Sequence, residues 1–240
     1  MAALARRWLA EDRASAGPRM LWLELDLPGG TAPRPSVFAG PGNPPQGRPA
    51  AGPDDDEWDA VVALLKPGQS AASLTQLRSA LPASAWIGYV GAMRGVELRA
   101  TVSGLTPEQI PVLLHRIAWR GDEDGLAAVL ALARTHGPRI TLGFNLTEGI
   151  GPALGIELGP FAPDCWEGLL HAAAEIAPLS DAARTALLAW PGYTVADASW
   201  PKGLRTQGGS IVRRLNHLKF GIGDGGPSRL KAYLYFGLLP

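Results

Sequence analysis

Leu21, Leu23, Leu25 and Leu27 alternate with Trp22, Glu24 and Asp26. A repeat of two puts all four leucines on one face of an extended chain and predicts a strand with one buried side. The alternation returns near the C-terminal end, where Leu218, Phe220 and Ile222 interleave with His217, Lys219 and Gly221. Leu230, Ala232, Leu234 and Phe236 then interleave with Arg229, Lys231, Tyr233 and Tyr235. Between these runs lies Asp224-Gly225-Gly226-Pro227, so residues 216–222 and 229–237 read as a hairpin with strong turn chemistry.

The repeat changes to helical spacing elsewhere. Leu4, Trp8 and Leu9 mark a short amphipathic helix over 2–14, and apolar spacing predicts helices over 54–66 and 73–81. Thr106-Pro107-Glu108 reads as a helix start with Thr as cap, running to Ile117, breaking near Gly121 and resuming from Asp122 to His136 before Gly137-Pro138 stops it. Further helices are predicted from Pro163 to about Ala177 and over 180–190. Strands are predicted over 35–39, 86–93, 96–103, 140–146 and 153–158. Residues 28–53, crowded with Pro and Gly around the short 35–39 run, read as a mobile loop.

Two strand runs followed by a helical segment, several times over, predict an α+β chain built from repeated β-β-α units. A hairpin cannot bury its apolar face alone. The expected solution is a single domain over 1–240: an antiparallel β-barrel or strongly curved sheet with helices outside. The aliphatic rows would lie under the helices and the polar and aromatic rows would face a lumen. An open sheet with a solvated polar side is the alternative.

The chain has 240 residues, 46% of them apolar, with 30 Gly and 22 Pro. That is enough apolar matter for a core and too much punctuation for a coiled coil or helical solenoid. Lys+Arg and Asp+Glu both number 22, for zero net charge, which argues against a nucleic-acid partner. The neutrality is a cancellation: seven cations oppose one acid from Lys202 onward, and seven acids oppose two cations between Leu21 and Ala60. A local anion site at the basic end therefore remains open. Cys165 is the single cysteine, which excludes an intramolecular disulfide and suits a reducing compartment. The N-terminal residues lack the apolar run of a signal peptide, and no stretch of roughly 18 apolar residues exists, so a cytoplasmic protein without a membrane partner is expected.

The run that carries most chemistry is Arg229-Leu230-Lys231-Ala232-Tyr233. On a strand its polar side chains project to one side about 7 Å apart, two cations followed by a phenol, which suits a diphosphate with an aromatic ring beside it. Together with the β-β-α rhythm, this Arg-x-Lys-x-Tyr run resembles the aromatic prenyltransferases of the αββα barrel type. The resemblance implies that Arg229 and Lys231 hold an allylic isoprenoid diphosphate, joined by Lys219 and Arg99, and that Tyr233 shields the allylic cation. It also implies a carboxylate on an early strand that accepts a hydrogen bond from an indole, phenol or peptide acceptor, a role Glu24 would fill. Trp22, His217 and Tyr235 would line the acceptor side. The chain departs from the family in offering about eight strands rather than ten, and in having Phe220 and Gly221 where a second Lys-x-Tyr would stand. The alternative is a non-catalytic accessory protein that holds a peptide or small molecule on the same fold.

Other motifs carry less. Asp55-Asp56-Glu57-Trp58-Asp59 fits a DDxxD pattern but sits at a helix start, where acids complement the helix dipole. His115, His136, His171 and His217 have no metal-ligand spacing, so no metal site is expected; magnesium is compatible with a diphosphate but is not required by any residue. No GxSxG nucleophile elbow is present, and the glycines at 149–155 and 221–226 do not form GxGxxG after a strand and before a helix, so a dinucleotide site is unsupported.

Overall fold

The computed structural model describes residues 20–24, 36–40, 55–66, 71–93, 98–137, 139–147, 149–195, 210–223 and 226–239. The helix expected over 2–14 and most of the 28–53 loop lie outside the described residues. Nine strands and six helices are described: β1 (Met20–Glu24), β2 (Ser36–Gly40), α1 (Asp55–Leu65), α2 (Ala72–Ala80), β3 (Trp86–Ala92), β4 (Leu98–Leu105), α3 (Gln109–Arg116), α4 (Glu123–His136), β5 (Ile140–Leu146), β6 (Ile150–Leu158), α5 (Trp166–Ile176), α6 (Asp181–Ala189), β7 (Gly192–Val195), β8 (Ser210–Gly223) and β9 (Gly226–Leu239). The fold is α+β.

Strand order is β1-β2-β3-β4-β5-β6-β8-β7, with β9 added to β8, and the resolved pairings are antiparallel. This corrects the expected barrel. Closure needs the free edge of the first strand to meet a terminal strand, whereas β1 pairs with β2 and the order ends at β7 and β9, so the sheet is not closed. The described contacts gather into two compact units, Met1–Gly121 with Ile140–Leu154, and Asp122–Arg139 with Gly155–Pro240.

In the first unit, alternation along β4 and β5 sorts the side chains by face. Leu98 stands opposite Leu146, Ala100 opposite Phe144 and Val102 opposite Leu142, all of them buried. The other face carries Arg99 opposite Asn145 and Ser103 opposite Thr141. Trp58, Val61 and Val62 of α1, Leu74 and Leu77 of α2, and Ile110, Leu113 and Leu114 of α3 are buried in the same unit. Spacings of three and four residues produce such stripes because 3.6 residues make one helical turn. The start expected at Thr106 is displaced: α3 begins at Gln109, whose side-chain carbonyl accepts from the Thr106 N–H at 3.0 Å. Pro111 then falls in the first turn, where the helix has no use for its missing N–H.

In the second unit, Asp122 caps α4 by accepting from the Gly125 N–H at 2.9 Å, and Gly137 closes the helix in the left-handed conformation at φ 59°. Leu126, Val129, Leu130 and Ala133 form its buried stripe, and α4 packs on α5, β8 and β9. Beneath it lie Leu218, Phe220 and Ile222 of β8, none more than 1% exposed. The hairpin is longer than the alternation suggested, with fourteen residues in each strand. A bulge between Leu215 and His217 explains the shortfall. Asn216 is the extra residue, so buried positions are odd-numbered before it (Ile211, Leu215) and even-numbered after it. A single alternating template fits only one side of such a break.

Candidate functional site

Beyond the bulge, β8 and β9 turn a continuous polar row away from α4. His217 stands opposite Tyr233, Lys219 opposite Lys231, and Gly221 opposite Arg229. The His217 imidazole stacks on the Tyr233 ring, with centroids 4.1 Å apart and planes inclined by 15°. Like charges placed directly across a strand pair repel, so the Lys219–Lys231 juxtaposition needs a counter-charge. Glu157 on β6 supplies one: its carboxylate accepts from Lys219 Nζ at 2.7 Å and lies 3.9 Å from His217 Nε2. Lys219 is 14% exposed and Glu157 26%, so the pair is only partly screened by water.

The end of β6 also presses on this row from the backbone side. A Cβ on Gly159 would stand 2.5 Å from the His217 Cβ, and Gly159 has φ 152°, so only glycine lets the chain pass here. Burial holds the His217 pKa below its ordinary 6.5; the Glu157 carboxylate pulls it back up and the Lys219 ammonium adds a smaller depression. His217 is thus held toward its neutral form beside the Glu157 carboxylate and the Lys219 ammonium.

Tyr235 lies further along the same face of β9, opposite Arg214, whose guanidinium sits 4.1 Å over its ring. Two of the aromatic rings expected to meet ligand, Tyr233 and Tyr235, therefore each have one face covered by a neighbour on β8. Arg229 is exposed near the turn.

The remaining predicted residues belong to the first unit. Trp22 stands opposite Phe38, Phe38 opposite Gly91, Gly91 opposite Arg99, and Arg99 opposite Asn145, one row across five strands. Glu24 occupies the same face of β1, opposite the fully buried Ser36. The side chains of Trp22 and Glu24 are outside the described residues. Arg99 donates from Nε to the Asn145 side-chain oxygen at 2.9 Å. Six of the nine predicted residues thus share one hairpin in the second unit, and three share one face of the sheet in the first.

Glu157 was missed by sequence reasoning. Its signal was an acid alternating with Leu154, Ile156 and Leu158 on a strand, but nothing local says which strand that acid will meet. Among the described residues no group of three or more His, Cys, Asp or Glu side chains is gathered for a metal ion, and no helix is long and apolar enough to cross a membrane. Asp55 begins α1, and the Asp55, Asp56 and Glu57 side chains lie outside the described residues. Cys165, half-buried, lies beside Asp164, and His136 and His171 contact Phe161 and Arg184 rather than one another. No model of a known family, no curated protein and no solved structure matches this chain.

Proposed function

We propose that the chain is a prenyltransferase-like protein that binds the diphosphate of an allylic isoprenoid on the polar face of β8 and β9. The observation that carries this reading is the cross-strand pair Lys219–Lys231, with Arg229 one step along the same face. Three cations share one patch, and a diphosphate would offset the repulsion between the lysines. Tyr233 adjoins the patch and offers an aromatic surface to an allylic chain.

In a transfer reaction the allylic C–O bond breaks, the electron pair leaves with the diphosphate, and the acceptor ring forms the new C–C bond before losing a proton. His217, held toward neutrality, has an imidazole nitrogen free of charge to take that proton. Under this reading His217 and Tyr235, on the same hairpin face, receive the aromatic or peptide acceptor, and the order of strand pairs and helices is built from repeated β-β-α units with helices outside. Magnesium on the diphosphate is compatible with the scheme.

A second reading, binding without catalysis, is favoured by one specific observation. Lys219 is committed to Glu157 at 2.7 Å and the sheet is not closed, so an allylic cation would lack the dry enclosure that prevents its capture by water. Thermal denaturation with dimethylallyl thiolodiphosphate, a non-hydrolysable analogue, tests the shared part. A rise in melting temperature that Lys231→Ala abolishes supports the site, and no rise at millimolar ligand overturns it. Product analysis with dimethylallyl diphosphate and tryptophan-containing acceptors then separates transfer from binding.

A further inference from the structure

The opposite face of the same hairpin carries a second, unrelated constellation. Before the bulge, Arg213 stands opposite Phe236 on one side and Gly192 of β7 on the other. Its guanidinium lies over the ring of Trp190, 5.5 Å from the centroid, at the end of α6. Arg213 Nε and Trp190 Nε1 are both buried and have no hydrogen-bond partner. Among the described residues no carboxylate pairs with Arg213. A half-buried guanidinium without a counter-ion is costly, and buried N–H groups of proteins nearly always find an acceptor.

The surroundings are apolar and open. Phe236 is 66% exposed and Leu234, two residues earlier on the same face, is 45% exposed, although Leu230 and Ala232 of that row are more protected. The apolar row of β9 therefore runs past the helices that cover its first half. Gly192 adds space at the cation: a Cβ there would stand 3.2 Å from a terminal nitrogen of Arg213, and those terminal nitrogens are not sealed as Nε is.

We propose that Arg213 is the anchor of a ligand site for a carboxylate attached to an apolar body, with the carboxylate on the guanidinium fork and the apolar body on Leu234 and Phe236. The planar, singly charged carboxylate matches one guanidinium in shape and charge. A phosphate monoester carries close to two charges and would want a second cation. Arg214, the next residue, points to the other face and lies over Tyr235. Trp190 holds the guanidinium by a cation–π contact, which lowers the ordering cost of binding.

The test is titration with 4-phenylbutyrate, followed by calorimetry and by the Trp190 indole N–H and Arg213 Nε–H resonances. Saturable binding is expected, weakened about ten-fold or more by Arg213→Gln and by Phe236→Ser, and unchanged by Lys231→Ala, which separates this site from the diphosphate face. If Arg213→Gln does not fold, Arg213→Lys keeps the charge and loses the fork, and it too must bind several-fold more weakly. Absence of saturation at about 10 mM, or equal binding by the folded Arg213 variants, overturns the site. Tighter binding of phenyl phosphate than of 4-phenylbutyrate overturns the carboxylate assignment, and equal binding of the neutral 4-phenylbutanol overturns the role of Arg213.

Discussion

Replacing Glu157 with Gln keeps the shape of the side chain and removes the one carboxylate that faces Lys219 and His217. At 2.7 Å and an effective dielectric constant of about 20, the gross attraction to the Lys219 ammonium is about 6 kcal/mol. Desolvation of both groups and their residual exposure of 14% and 26% offset much of this. The Gln oxygen also retains a hydrogen bond to Nζ, while the Glu157 charge no longer screens the Lys219–Lys231 repulsion. The net loss should be about 2 kcal/mol, or about 4–8 °C in melting temperature for a chain of this size. The same substitution removes the influence that raises the His217 pKa, leaving burial and Lys219, both of which lower it. Its folded-state pKa should therefore fall further below 6.5. For a base depressed in the fold, the unfolded state takes up protons first as pH drops. The stability linked to His217 is thus complete above about 6.5 and is lost as pH falls through the folded-state pKa. The variant should lose more of it over a window that extends lower. The assays are urea denaturation between pH 7.5 and 5 and the His217 ring-proton titration by NMR. A loss below about 0.5 kcal/mol at pH 7.5, or an unmoved His217 titration, would refute the assignment of Glu157 as the counter-charge.

Three further outcomes are expected. Phe144→Ala, at a fully buried position on β5, should cost about 3–5 kcal/mol in denaturant unfolding, because removing the ring leaves a cavity among close-packed strands and helices. Gly91→Ala should cost about 1–3 kcal/mol, since its Cβ would stand 2.2 Å from the Phe38 ring; an unchanged midpoint would mean that Phe38 can rotate away freely. Asp122→Ala should cost about 1 kcal/mol by uncapping the Gly125 N–H, and Asp122→Asn should recover most of it.

The elements with strong local signals were legible in the chain alone. Alternation in Leu218–Ile222 and Leu230–Phe236 identifies a hairpin with one apolar and one polar row, because strand side chains have a period of two wherever they occur. Spacing of Leu126, Val129, Leu130 and Ala133 likewise identifies the buried stripe of α4, and Asp122 and Gly137 mark its ends by their own backbone chemistry. The pairing of Lys219 with Lys231 does not follow from the turn: the Gly223–Gly226 register would set Lys219 opposite Leu230, and the bulge between Gly221 and Ile222 shifts it by one. β7 escaped notice, being four residues whose Tyr193 and Val195 are 72% and 67% exposed, so burial imposes no pattern on it.

Tertiary structure decided what local spacing cannot encode. Whether the sheet closes depends on which strand meets the free edge of β1, a matter of summed twist and strand tilt rather than of any residue's preference. Glu157 meets Lys219 across 62 positions of sequence, and Trp190 meets Arg213 across the β7 connection. Alternation assigns each of these side chains to a face of its own element. Only the order in which strands pair determines which groups share that face, and so whether a cation is answered by a carboxylate, as Lys219 is, or by an aromatic ring, as Arg213 is.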